Sequence, residues 1–159
     1  MLNKELLNLV QQIKEAKSAI IISTAESCTG GMLAAYLTEL AGASHYFATG
    51  IISYSNAAKI KFLSVQKQTL DKFGAVSEEV AREMAEGCRK VSESDLALAI
   101  TGIAGPGGGT VHKPVGMVCF GVSTPSGTKT STHYFKGNRA DVRQQACLIA
   151  LQLILSEIV

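Results

Sequence analysis

The segments on either side of one predicted strand carry hydroxyl, amide and amine groups that could form a nucleophile and its base. The residues concerned are Ser44, Tyr54, Ser55, Asn56 and Lys59. A serine needs a base to become a nucleophile, and a desolvated lysine with a lowered pKa can be that base, with a tyrosine relaying the proton. The structural alternative is that both serines cap helices and the lysine lies in solvent.

A second group occupies the loop between a predicted strand and a predicted helix. It comprises Glu26, Ser27, Cys28, Thr29, Gly30 and Gly31. Free N–H groups at the start of the helix could cradle an anion, and the two glycines would let a ligand approach the backbone closely. The alternative is that Ser27 or Thr29 only caps the helix. The loop matches neither the Walker A pattern nor G-x-G-x-x-G, so it does not indicate ATP or NAD.

Two further segments could complete a site. A strand that ends at Thr101 runs into Gly102 and a glycine-rich stretch containing Gly105, whose N–H groups could stabilise an oxyanion. Arg139 and Arg143 share one face of the last helix, near its start, where cations oppose the helix dipole. An anionic ligand such as a phosphate, bound by the arginines, would explain why the sequence accepts this unfavourable electrostatic interaction. The alternatives are a flexible connection at the glycines and neutralisation of the arginines by a neighbouring aspartate.

Metal and thiol chemistry have less support. The three histidines are far apart in the sequence and no carboxylate lies at ligand spacing, so we expect no catalytic metal. The four cysteines form no C-x-x-C pair and are expected to be buried small side chains in a reducing compartment. Cys28 could be a nucleophile at a helix start, but it ranks behind the two serines.

Alternating helices and strands must position these groups. Apolar spacing from Leu2 to Ile13 predicts an amphipathic helix, and β-branched runs predict strands at 19–23, 47–54 and 95–101. Further helices are expected at 32–40, 56–63, 66–73 and 77–91. Strands at 115–123 and 130–135 should form an antiparallel hairpin, followed by a last helix that begins near Asn138. The pattern predicts an α/β fold, a three-layer α/β/α sandwich with a mixed sheet of about five strands.

Length and composition narrow the class of protein. A chain of 159 residues with 47% apolar and 18% charged residues suits a single domain, 1–159, that buries a core without disulfides. A net charge of +2 does not indicate a general nucleic-acid or membrane surface. Because no apolar run is long enough for a membrane span and the N-terminus is too charged for a secretory signal, we expect a soluble cytoplasmic protein.

Seven short motifs occur in order along nearly the whole chain. They are TAESCTGG (24–31), AGAS (41–44), GIISYSNAAK (50–59), GAVS (74–77), TGIAGP (101–106), KPVG (113–116) and the arginine segment 139–143. Each motif is weak alone, but seven in this order are specific. On these motifs the sequence resembles the CinA C-terminal domain family, in its stand-alone nicotinamide mononucleotide (NMN) deamidase form.

The resemblance implies an amidohydrolase that converts NMN to nicotinic acid mononucleotide and ammonia without a metal or other cofactor, in pyridine-nucleotide (NAD) recycling. On this basis Ser44 is the first choice for the nucleophile and Ser27 the second, with Lys59 as the base and Tyr54 assisting. Thr101 and Gly102 would hold the carboxamide or its oxyanion, and an arginine would pair with the phosphate. The residues expected to bind substrate are Glu26, Thr29, Gly30, Gly31, Asn56, Gly102, Gly105, Arg139 and Arg143.

Other classes of function stay open. A non-catalytic nucleotide-binding module would keep the loops and arginines around an inert polar cluster, and an interaction domain of the same family would act through a partner. A hydrolase of another small amide or nucleotide is a further alternative. The expected ligand is a small nucleotide, with no nucleic acid and no membrane as partner. The apolar last helix could support a homodimer or higher homo-oligomer.

Overall fold

The computed structural model describes residues 3–159, so Leu2 of the predicted first helix lies outside it. The helices are α1 (Lys4–Glu15), α2 (Met32–Leu37), α3 (Asn56–Leu63), α4 (Lys67–Phe73), α5 (Glu78–Ser92) and α6 (Arg139–Ile158), with a 3₁₀ helix at Ala43–His45. The strands are β1 (Ile22–Glu26), β2 (Phe47–Ile52), β3 (Leu96–Gly102), β4 (Met117–Thr124) and β5 (Gly127–Tyr134).

One mixed sheet joins the five strands in the order β2-β1-β3-β4-β5. β1 pairs parallel with β2 and with β3, and the remaining pairs are antiparallel, so the predicted hairpin of β4 and β5 is confirmed. Glu26 at the end of β1 lies between Ile52 of β2 and Ile100 of β3. The carboxyl ends of three parallel strands therefore meet at one edge, called the carboxyl edge below.

Helices cover both faces of the sheet, as expected for a three-layer sandwich. α1, α2 and α6 pack on one face and α3, α4 and α5 on the other. β3 divides its side chains between the layers, with Leu98 and Ile100 in the first core and Ala97 and Ala99 in the second. Burying each leucine or isoleucine stabilises the fold by roughly 1.5–3 kcal/mol.

Most elements lie within two residues of their predicted bounds, and the larger differences are in β1, α2 and β5. β1 begins and ends three residues later than predicted, at Ile22 and Glu26, and the Ile21 N–H donates to the Asp95 carboxylate at 2.8 Å instead of to a strand. α2 ends at Leu37, three residues early, and the Glu39 N–H donates to the Tyr36 carbonyl oxygen in a tighter turn. β5 begins at Gly127, three residues early. The later end of β1 places its last residue directly before Ser27.

Candidate active site

Lys59 is buried because it lies on the inner face of α3. Ser55 caps the helix by accepting a hydrogen bond from the Ala58 N–H at 3.1 Å, which starts α3 directly after β2. Lys59 and Leu63 are four residues apart, so they share the inner face of α3, which packs against α5, and both side chains are about 1% exposed. The prediction of a desolvated lysine is confirmed, and its solvent-exposed alternative is wrong.

The buried ammonium group lies against the hydroxyl of Ser27. Lys59 Nζ is 2.8 Å from Ser27 Oγ, and it also donates to the carbonyl oxygens of Ser53 at 2.8 Å and Tyr54 at 3.3 Å. Ser27 comes directly after β1, and the segment of Ser53 and Tyr54 comes directly after β2. The carboxyl edge of the sheet therefore brings the serine and the lysine together across 32 residues of sequence.

Burial lowers the pKa of Lys59 to about 8, because removal from water penalises the charged form. The charge is held by hydrogen bonds to neutral oxygens, and no carboxylate forms a salt bridge with it within residues 3–159. At pH 7 about one lysine in ten would then be neutral, against about one in three thousand for an ordinary lysine. A neutral Nζ at this distance can accept the proton of the Ser27 hydroxyl.

Ser44 lies at the opposite edge of the sheet. It is exposed in the 3₁₀ helix that precedes β2, whereas Ser27 and Lys59 follow the carboxyl ends of β1 and β2. The length of β2, roughly 20 Å, separates Ser44 from that end. The expected pair of Ser44 and Lys59 is wrong, and the serine that contacts the lysine is the second choice, Ser27.

Tyr54 and Arg139 close one side of the site together. The Tyr54 hydroxyl accepts a hydrogen bond from Arg139 Nη2 at 3.1 Å, and only the backbone carbonyl of Tyr54 reaches Lys59. The structure therefore places the Tyr54 hydroxyl in the cavity beside Arg139 and not in direct contact with the lysine. Arg139 Nη1 also donates to the Gly105 carbonyl oxygen at 3.0 Å, and its other three N–H groups have no acceptor within residues 3–159 and could bind a ligand.

The Glu26 carboxylate caps α2 from below. Its oxygens accept the N–H groups of Gly31 at 3.1 Å, Leu33 at 3.0 Å and Ala34 at 2.9 Å, and the side chain is 1% exposed. The expected anion cradle at this helix start is thus filled by the protein's own carboxylate, and Glu26 is not available to substrate. Gly30 and Gly31 have φ of +57° and +95°, so the glycines serve a left-handed turn and not the approach of a ligand.

Arg143 and Thr29 also differ from their expected roles. Arg143 donates to the carbonyl oxygens of Cys28 at 3.1 Å and Thr29 at 2.9 Å, which commits its guanidinium to the loop and not to a phosphate. Thr29 is fully buried, and its hydroxyl has no partner within residues 3–159. Of the two arginines, Arg139 is the one that faces the cavity described next.

A cavity of about 230 Å³ opens over the Ser27 hydroxyl. Seven of the predicted site residues line it: Ser27, Tyr54, Asn56, Lys59, Thr101, Gly102 and Arg139. The Thr101 hydroxyl donates to the Ala75 carbonyl oxygen at 2.8 Å, so it fixes one wall of the cavity. Gly105, another predicted substrate-binding residue, is not among the lining residues, and its carbonyl oxygen accepts a hydrogen bond from Arg139.

A larger groove of about 530 Å³ lies between α3 and α5, away from the serine and lysine. One of its carboxylates, Glu83, is committed to the Gln66 N–H at 2.8 Å and the Thr69 hydroxyl at 2.6 Å. The smaller cavity at the carboxyl edge is therefore the candidate active site, because it holds the buried base and the hydroxyl.

Thiol chemistry does not compete with the serine. All four cysteines are free and buried, as the sequence predicted. Burial raises the pKa of Cys28 to about 11, so its sulfur stays a thiol at neutral pH.

Within residues 3–159, no group of three or more His, Cys, Asp or Glu side chains is placed to hold a metal ion. In the same residues, no helix is long and apolar enough to cross a membrane.

A comparison with models of protein families identifies the family of the chain. A model of the CinA C-terminal domain matches residues 3–158. The chain belongs to the CinA C-terminal domain family. The CinA-like protein of Mycolicibacterium vanbaalenii is 51% identical over 144 residues, and that of Fervidobacterium nodosum is 41% identical over 152 residues. These matches cover 90% and 96% of this chain but only 34% and 37% of the relatives, so the chain spans about a third of their length.

Solved CinA-family structures have the same fold over almost the whole chain. A competence/damage inducible protein, CihA, from Agrobacterium tumefaciens is 37% identical, with a TM-score of 0.92 and coverage of 98% of this chain and 97% of that one. A competence or damage-inducible protein from Enterobacter asburiae is 33% identical, with a TM-score of 0.93 and coverage of 99% and 100%. The α/β fold is thus shared with crystallised CinA-family proteins.

Three residues that line the cavity of this CinA-family chain were not predicted individually from the sequence. They are Ala75, Val76 and Ala104. None of these apolar side chains carries a reactive group that a sequence pattern would flag. All three lie in the motifs GAVS and TGIAGP, so the signal was present in the motifs and not in the individual residues. Cys28, which the sequence offered as a possible nucleophile, also lines the cavity.

Proposed function

We propose that this CinA-family chain is an amidohydrolase that deamidates NMN to nicotinic acid mononucleotide and ammonia. The observation that carries the proposal is the 2.8 Å contact between the Ser27 hydroxyl and a buried lysine whose pKa is lowered to about 8. A hydroxyl next to a partly neutral amine is a nucleophile with its base, and such a pair serves acyl transfer without a metal.

The proposed reaction has two halves that use the same base. Neutral Lys59 takes the Ser27 proton as Oγ adds to the carboxamide carbon, and the resulting ammonium gives that proton to the amide nitrogen, which leaves as ammonia when its bond to carbon breaks. A water molecule then adds to the Ser27 ester and loses a proton to Lys59. Lys59 returns this proton to Ser27 Oγ as the bond from Oγ to the acyl carbon breaks, and nicotinic acid mononucleotide leaves with the serine restored. The position of Nζ suits both transfers because it lies 2.8 Å from Oγ.

Arg139 supports an anionic substrate. It stands at the cavity with two N–H groups engaged by Gly105 and Tyr54, and a guanidinium has five N–H donors. The phosphate of NMN is the anion that the family resemblance suggests. A nucleotide that places its phosphate on Arg139 would extend its carboxamide along the lining toward Ser27.

Ammonia release by the purified chain, with NMN as substrate and a chelator present, tests the proposal. We expect steady release from NMN and a much higher KM for the phosphate-free nucleoside, nicotinamide riboside. Arg139→Gln should narrow the difference between the two substrates, and the surface variant Arg82→Gln is its control. Binding of NMN with no release of ammonia would instead support the alternative, a nucleotide-binding or interaction domain of the family.

A further inference from the structure

Two carbonyl groups that follow Ser27 are held by one arginine from the far end of the chain. Arg143 Nε donates to the Cys28 carbonyl oxygen at 3.1 Å, and Nη2 donates to the Thr29 carbonyl oxygen at 2.9 Å. The Ser27 carbonyl oxygen accepts the Gly30 N–H at 3.1 Å. The peptide planes on both sides of Cys28 are therefore fixed, one by a turn and the other by the guanidinium of α6.

The fixed planes leave the Cys28 N–H unused. Across a trans peptide the N–H points away from the carbonyl of the preceding residue, so the Cys28 N–H points out of the turn that Ser27 and Gly30 close. Within residues 3–159 it has no acceptor on any other residue. Cys28 is 6% exposed, and an N–H without a good partner is rare at such burial.

We propose that the Cys28 N–H is an oxyanion donor of the reaction and that Arg143 is the positioning residue that aims it. The proposal rests on the proposed function, since it needs Ser27 to attack an acyl carbon. Cys28 lines the cavity and directly follows Ser27 in the chain, so its N–H is the first backbone donor after the proposed nucleophile. A donor fixed before the reaction stabilises that oxygen without reorganising in the transition state.

The two arginines of α6 thus have different roles, although they are four residues apart on one face. Arg139 has free donors at the cavity and acts on substrate binding. Arg143 does not line the cavity, and its contacts go to the backbone of the loop. Loss of Arg143 should therefore lower kcat, whereas loss of Arg139 should raise KM.

Steady-state kinetics of Arg143→Ala and Arg143→Lys test this division. Arg82→Ala is the matched control, because Arg82 also donates to a backbone carbonyl, that of Thr128 at 2.9 Å, at the other end of the sheet. Arg143→Ala should lower kcat about 10²–10³-fold with KM changed less than about threefold. Its pH profile should keep the same apparent pKa. The kcat of Arg143→Lys should lie between those of the wild type and Arg143→Ala. Added guanidinium should restore part of the activity of Arg143→Ala.

A fluorophosphonate that labels Ser27 separates this proposal from the proposed function. Its phosphoryl oxygen takes the place of the oxyanion, so labelling of Arg143→Ala should slow in parallel with kcat even if NMN proves not to be the substrate. Labelling and kcat equal to those of Arg82→Ala would overturn the role of Arg143. A raised KM with unchanged kcat would overturn it as well, because Arg143 would then bind substrate. Failure of the wild type to be labelled would overturn both proposals.

Discussion

The amine of Lys59 is placed where its charge is weakly stabilised. Lys59 Nζ lies at the cavity and donates hydrogen bonds to one hydroxyl and two carbonyl oxygens, and no carboxylate within residues 3–159 forms a salt bridge with it. Desolvation lowers its pKa to about 8, which leaves an appreciable neutral fraction at physiological pH. In the proposed reaction this one side chain would perform the proton transfers for which many hydrolases use a histidine and a carboxylate.

The pH profile of ammonia release should follow the deprotonation of Lys59. Because only the neutral amine can accept the serine proton, kcat/KM should rise with pH and level off above an apparent pKa near 8. Lys59→Met should lose this activity, whereas Lys61→Met, an exposed lysine on the same helix, should keep both the rate and the profile. A rate that falls as pH rises from 6 to 8 would show that the neutral lysine is not the base.

The sequence offered Lys59 and two candidate serines, but it ranked first the serine that does not contact the lysine. Ser27 and Ser44 are both serines close to a strand, and residue type cannot separate them. What separates them is direction: Ser27 follows a strand and Ser44 precedes one, so parallel pairing puts them at opposite edges. The rule that sites lie at the carboxyl ends of parallel strands favours Ser27 as soon as both strands are assigned.

At the element scale, α2 is a short helix whose start is stabilised from within the protein. Glu26 ends β1 and accepts three N–H groups of the following turn and helix, which couples the strand to α2 through one carboxylate. Strand, loop and helix could each be predicted from the sequence. The cap could not, because a glutamate at the end of a buried strand is equally compatible with a ligand role. Only the direction of its side chain distinguishes the two.

Glu26→Gln should therefore destabilise the fold. The amide offers one acceptor oxygen in place of two charged ones, so at least one buried N–H loses its partner, at a cost of about 1–3 kcal/mol. Urea denaturation should show a lower midpoint with an unchanged slope. Glu39→Gln, an exposed position after the same helix, provides the control. Unchanged stability combined with a raised KM would assign Glu26 to the substrate instead.

At the scale of the whole molecule, the order of the strands in the sheet determines which loops lie next to one another at the candidate active site. β1 lies between β2 and β3, so the loops that follow the three strands supply Ser27, the Ser53–Tyr54 carbonyls and the Thr101–Gly102 wall. The α/β/α class and the mixed sheet follow from the alternation of elements. The strand order cannot be predicted in this way, and neither can the contact between α6 and the loop after β1. Both depend on packing between segments that are far apart in the sequence, more than a hundred residues in the case of α6, and no local pattern encodes such contacts.

The buried lysine should cost the whole fold stability at neutral pH. Its pKa is about 8 when folded and 10.5 when exposed, so between these values the unfolded chain binds more protons and the free energy of unfolding rises with pH. The stability of the wild type relative to Lys59→Met should thus be constant below pH 8 and increase by on the order of 1–3 kcal/mol up to about pH 10.5. Thermal melts of both proteins, with Lys61→Met as control, measure this. A stability difference between the wild type and Lys59→Met that does not change with pH would contradict the lowered pKa of Lys59.

The most direct test of the account is ammonia release from NMN by Ser27→Ala and Ser44→Ala, each purified and assayed beside the wild type with a chelator present. The two substitutions remove the same hydroxyl, one at the carboxyl edge beside Lys59 and one exposed at the opposite edge. We predict that Ser27→Ala releases no ammonia above background and that Ser44→Ala matches the wild type. Near-normal release by Ser27→Ala, above all with loss of activity in Ser44→Ala, would contradict the assignment of Ser27 and Lys59 as nucleophile and base.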